Sequence, residues 1–184
     1  MKFIFRLLNL CILLFFCLYS SLLLGFDFSD VHHSIQQDIT KIYGNYKSSR
    51  VAIVYNNKFR DQLKFKINLV NFKKDLSHEL NRSFQIIDPI IVQEILNTNQ
   101  IDFQQISTDN FILKSFSDRA DSTQILMVDL KPHGPNTQAD FRLYTPEGDI
   151  ISQVIMDIPA SSQQEYVQPV ADEPDETSSA FDDF

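Results

Sequence analysis

The chain has 184 residues, 43% hydrophobic and 22% charged, with 24 acidic against 16 basic side chains; that is room for one packed domain with appendages. Seven of the acids (Glu165, Asp172, Glu173, Asp175, Glu176, Asp182 and Asp183) follow Pro159 in a stretch without Lys or Arg, so the rest of the chain is close to neutral. With no broad basic excess to neutralise phosphates, nucleic acid is not an expected partner.

The first element is an apolar run. Lys2 and Arg6 precede an uncharged stretch from Leu7 to Phe26, and Asp27 and Asp30 follow it. Twenty residues just cross a hydrocarbon core of about 30 Å as a helix, and the flanking charges orient such a helix N-in, C-out. Two readings stay open for residues 1–28: an uncleaved anchor, or a cleaved signal peptide whose −3 position is a poor Leu23 or Leu18. A lipoprotein signal is absent, since Leu10 precedes Cys11 and Phe16 precedes Cys17. Those are the two cysteines of the chain, so the remainder carries no disulfide framework, thiolate catalyst or Cys-ligated zinc.

Val31, Ile35, Ile39, Ile42, Tyr43 and Tyr46 recur at helical spacing, which predicts an amphipathic helix from a cap at Ser29 or Asp30 to Gly44–Lys47. The run Val51-Ala52-Ile53-Val54-Tyr55 predicts a buried strand, broken by Asn56-Asn57. Phe65, Leu69, Phe72, Leu76 and Leu80 share one helix face. Phe84-Gln85-Ile86-Ile87-Asp88 predicts a second strand, parallel to the first through a right-handed crossover. Asp88-Pro89 reads as a cap and first helical residue for a short helix bearing Ile91, Val92, Ile95 and Leu96. A polar connection over 97–108 leads to a helix capped by Asp109, with Ile112, Leu113, Phe116 and Ala120 on its apolar face.

Ile125–Leu130 predicts a third buried strand, and 132–136 a loop. Phe141–Tyr144 and Ile150–Ile155, around the turn Pro146-Glu147-Gly148-Asp149, predict an antiparallel hairpin. The fold class expected is α/β (α+β): one mixed sheet of about five strands with packed helices, in β-α-β-α-α-β-β-β order after an N-terminal hydrophobic helix. The expected divisions are a leader at 1–28, a domain at 29–159 and a disordered acidic tail at 160–184.

The strand 51–55, the Asn56-Asn57 break, the long amphipathic helix and Phe84–Asp88 together resemble a bacterial envelope group. The strand 125–130 and the hairpin with Glu147-Gly148-Asp149-Ile150-Ile151 add to the likeness, which covers about residues 30–158. The group includes the penicillin-binding-protein activator LpoB, FlgO-type flagellar proteins, the curli secretion protein CsgG and the N-terminal domain of TolB. The resemblance implies a non-enzymatic domain, with no catalytic residue to carry over, that binds an envelope protein or assembles a structure. The chain lacks the lipidation cysteine of the LpoB and FlgO types and the long linker of LpoB. The expected role is therefore a membrane-proximal scaffold or assembly factor for an envelope or surface-appendage complex, flagellar-type included; the alternative is an LpoB-like regulator of a peptidoglycan synthase.

Chemistry-bearing patterns are sparse. Four glycines (Gly25, Gly44, Gly134, Gly148) build no phosphate loop. His32-His33 and the Asp75, His78 and Glu79 group read as solvated helix faces, and His133 as a loop residue without companions. No cofactor or metal ligand set is expected, and an oligomer is left open. The candidate partner-binding residues are a basic patch of Lys58, Arg60, Lys64, Lys66, Lys73 and Lys74, and two aromatics among acids, Phe181 and Phe184. The patch suits anionic headgroups, cell-wall polymer, an acidic partner or the chain's own tail; its bland alternative is an ordinary charged helix face.

Overall fold

The computed structural model describes residues 26–63 and 66–159. The expected membrane-crossing run, residues 7–26, lies outside the described residues except for Phe26, as does the acidic tail from 160. Among the described residues no helix is long and apolar enough to cross a membrane.

Helix α1 (Ser29–Tyr43) buries Val31, Ile35 and Ile39, one residue per turn, and ends at Gly44, whose φ of +69° lets its N–H reach Thr40 O at 2.8 Å. Its start differs from expectation. Phe28 occupies the cap position without a side-chain bond, and the Asp27 carboxylate accepts the Ser29 N–H at 2.9 Å. That bond holds the Asp27 carboxyl below its ordinary value.

Strand β1 (Arg50–Tyr55) is followed by a single turn, α2 (Arg60–Leu63), and then by α3 (Leu69–Leu80). The amphipathic helix thus begins at Leu69 because the Asn68 side chain caps it, accepting the N–H groups of Val70 and Asn71; the expected earlier start at Phe65 lies outside the described residues. Strand β2 (Gln85–Ile86) leads into α4 (Pro89–Thr98), with Asp88 as cap and Pro89 in its first turn. The 97–108 connection holds a further helix, α5 (Phe103–Thr108), closed by a capping box between Asp102 and Gln105. Helix α6 (Asn110–Ala120) is capped by Asp109 as the sequence predicts.

Strands β3 (Gln124–His133), β4 (Asn136–Tyr144) and β5 (Ile150–Ile158) form a meander. The loop expected at 132–136 is instead the tip of a long hairpin. His133 pairs with Asn136 across Gly134-Pro135, and Gly134 takes φ +58°, the positive first position that suits a two-residue turn.

The sheet order is β2-β1-β3-β4-β5. β1 is parallel to both β2 and β3, whereas β3–β4 and β4–β5 are antiparallel. The two neighbours of β1 lie on opposite sides, so the right-handed crossover rule sends the connecting helices to opposite faces. The core divides accordingly. On one face Phe72, Leu76 and Leu80 of α3 and the stripe of α1 pack on Val51, Ile53, Leu126, Val128 and Phe141. On the other, Val92, Ile106, Leu113 and Phe116 of α4–α6 pack on Ala52, Val54, Ile125 and Met127. β1 is covered on both faces, which is why its run is apolar without alternation.

Phe28, 1% exposed, sits at the centre of the first cluster. Its ring lies 6.0 Å from Phe26, 5.0 Å from Phe72 and 6.1 Å from Phe141, and the Phe26 N–H bonds Asp75 Oδ2 at 3.2 Å. These two residues, grouped with the leader by hydropathy, are thus part of the packed core.

Candidate functional site

Because the crossovers that leave β1 and β2 go to opposite faces, a crevice opens beyond the C-terminal end of β1, the usual place for a binding site in an open α/β sheet. β2 deepens it. Its register with β1 covers Arg50 and Val51, and the chain then turns away at Asp88-Pro89, leaving the Ile53–Tyr55 edge without a strand beside it. The result is a groove of about 450 Å³ between α3 and α4. Ile53, Val54, Tyr55, Val92 and Leu96 give it an apolar floor, and Lys73, Lys74, Ser77, His78 and Gln93 a polar rim.

Lys73 Nζ stands 4.4 Å from the centre of the Tyr55 ring, a cation–π contact worth about 0.5–2 kcal/mol. Burial, and then the positive charge of Arg60, hold the Lys73 ammonium below its ordinary pKa. Burial pushes the Tyr55 phenol upward. The Ser77 side chain opposes that shift, and the buried Tyr55 hydroxyl makes no full hydrogen bond among the described residues.

The structure divides the predicted basic patch. Lys73 and Lys74 line the groove, and Arg60 lies close enough to bear on Lys73. Lys58 Nζ stands 5.6 Å over the Phe59 ring, and Lys66 Nζ bonds Gly134 O at 2.7 Å, near the β3–β4 turn. Lys64, Phe181 and Phe184 lie outside the described residues.

The histidines also sort differently from expectation. His32 is packed, not solvated: its side chain is 14% exposed, Nε2 lies 2.8 Å from Ser83 Oγ and Nδ1 3.3 Å from Glu79 Oε1. Burial holds its pKa down despite the Glu79 carboxylate. His33 bonds Gln37, His133 Nδ1 lies 2.9 Å from Asp157 Oδ1, and His78 stands on the rim of the groove.

A second, polar cavity of about 270 Å³ lies between α5 and the β3–β4 face. There Asp129 and Asp140 stand directly opposite each other across the strands. Such a pair is repulsive unless neutralised, and each is. Asn56 Nδ2 and Lys131 Nζ reach Asp129 at 2.8 and 2.7 Å, while Arg142 and Gln153 hold Asp140. One set of bonds joins the end of β1 to β3 and the other joins β4 to β5, and both carboxylates are engaged. Asp129 inside the otherwise apolar run 125–130 was its visible signal. No cluster of three or more His, Cys, Asp or Glu placed to hold a metal occurs among the described residues.

No protein-family model matches the chain, and no curated protein matches it. Solved structures do. The chain is similar to the C-terminal domain of LpoB. For the Salmonella enterica domain the identity is 10%, the TM-score 0.47, and the match covers 70% of this chain and 97% of that one. For the Escherichia coli domain the values are 11%, 0.44, 69% and 96%. A lipoprotein of Neisseria meningitidis is similar at 12% identity and TM-score 0.45, over 60% of this chain and 80% of its own. LpoB is the member of the sequence-suggested group that these structures include. The likeness is one of fold.

Proposed function

We propose that this chain is a non-enzymatic envelope protein that regulates another protein by binding it, with a peptidoglycan synthase as the first partner to test. The observation that carries the reading is the groove at the end of β1: an apolar floor, a strand edge with no strand paired to it and two lysines on one rim. An extended segment laid there meets apolar contact below and positive charge beside it, the pattern of peptide recognition at a sheet edge. The apolar leader supports an envelope location. It runs directly into Phe26, which is already packed in the core, so a retained anchor would hold the domain against the membrane, where a membrane-bound synthase is within reach.

The test uses the full chain and a synthase reconstituted in the same vesicles, with glycan polymerisation as readout. The expected result is a changed rate that reverts with Lys73→Gln/Lys74→Glu while the fold stays intact. An unchanged rate with the wild-type chain rejects the synthase as partner. The scaffold reading is favoured by the same groove, and it predicts that photo-crosslinks from the rim in native membranes capture an assembly component in place of a synthase.

A further inference from the structure

Three features beyond the described contacts invite a role: the polar cavity around Asp129 and Asp140, the packed Phe26 backbone, and the open groove. The first is internally neutralised and the second is held in the core, whereas the groove is open. We propose that the groove is occupied, while no partner is bound, by the chain's own acidic tail, with Phe181 and Phe184 on the apolar floor beside Tyr55 and with Asp182 and Asp183 against Lys73 and Lys74. The inference rests on the proposed function only in treating the groove as the binding site.

The topology brings the tail to the right end of the molecule. β5 runs in the same direction as β1 and β3, and its last residue, Ile158, pairs with Thr137, which itself pairs with Pro132 near the end of β3. The chain therefore leaves the sheet at the same end where Tyr55 ends β1, four residues further along β3 than the Val128 that pairs with Tyr55. β5 stands three places from β1 in the sheet, a separation of about 15 Å at the usual strand spacing. The stretch from Pro159 to Phe181 spans up to roughly 75 Å when extended, so it reaches the groove with ample slack.

Charge and chemistry match as well. Beyond Pro159 the sequence holds seven acids and no Lys or Arg. The groove's lining charges are Lys73 and Lys74, with Arg60 close to Lys73 and His78 on the same rim. Its volume of about 450 Å³ falls in the range of pockets that hold small organic groups and has room for aromatic rings. Tethering raises the tail to an effective concentration of order millimolar, so even a weak contact is populated. A free partner segment at micromolar concentration must then bind about a thousandfold more tightly than the tail to displace it, which makes the tail a threshold on partner engagement.

The chain contains no tryptophan, so Phe184→Trp in the full chain in nanodiscs gives a single reporter. The expected result is blue-shifted emission with reduced acrylamide quenching, both lost in Lys73→Gln/Lys74→Glu and at high salt. In a parallel sample, benzoylphenylalanine at position 184 should crosslink within one chain to peptides spanning 53–57, 73–78 or 89–96. A solvent-exposed tryptophan, a blue shift indifferent to the groove charges (burial in lipid), or crosslinks joining two chains would each overturn the inference. None of these readouts needs a partner. Tail docking without partner binding would sink the proposed function alone, and partner binding with an exposed reporter would sink the tail inference alone.

Discussion

Replacing Phe28 with alanine tests where the folded domain begins. Phe28 is 1% exposed and contacts three rings, Phe26, Phe72 and Phe141, so the truncation empties the centre of the larger core cluster. A buried Phe→Ala change costs about 3–5 kcal/mol, a large share of the roughly 5–15 kcal/mol that holds a domain folded. For a domain of this size, 1 kcal/mol moves Tm by about 3–5 °C, so a fall of about 10–25 °C is expected by circular dichroism. Phe111→Ala serves as control, because Phe111 is 82% exposed and its removal should change stability by about 0.5 kcal/mol or less. If Phe28→Ala behaves like the control, residues 26–28 are not core, and the close join between leader and domain disappears.

Two further outcomes follow from particular contacts. Burial holds the folded-state pKa of His32 below its ordinary 6.5. The unfolded chain therefore takes up this proton first, and stability falls as pH drops through about 6.5 until the folded ring is also protonated. Urea unfolding at pH 7.5 and 5.5 should show a wild-type loss that His32→Gln lacks; an equal loss in both would contradict the assignment. At Gly148, φ is +101° and an added Cβ would lie 2.4 Å from the Asn110 side chain. Gly148→Ala should cost about 1–3 kcal/mol, and Asn110→Ala in the same chain should recover part of it; full additivity of the two changes would show that the clash plays no role.

Much of the sheet was legible because burial on both faces writes an apolar run, as in Val51–Tyr55 and Ile125–Leu130, and burial on one face writes alternation, as in Phe141-Arg142-Leu143. Caps at Asp88 and Asp109 were readable for the same local reason: a short oxygen-bearing side chain before an apolar-periodic segment. Helix α5 was missed although Asp102 and Gln105 carry the spacing of a capping box, because its six residues hold too little periodicity to stand out. The loop expected at 132–136 is absent because Pro132, although it lacks an N–H, stays in the ladder opposite Thr137. His32 looked solvated since nothing local announces Ser83 or Glu79, which arrive from about fifty residues away. The groove was half legible. Lys73 and Lys74 stood out as charges, but the floor beneath them depends on where β2 stops and α4 turns, a tertiary fact with no mark in the lysines themselves.

The most direct check of binding through the end of β1 is site-specific photo-crosslinking of the full chain in its native membranes. Probes are placed at Gln93, on the groove rim, and at the distant exposed residue Asp121. The account predicts a discrete protein adduct from Gln93 that weakens with Lys73→Gln/Lys74→Glu and is absent from Asp121. Equal labelling from both positions, or an adduct from Gln93 that ignores the two lysines, would contradict it.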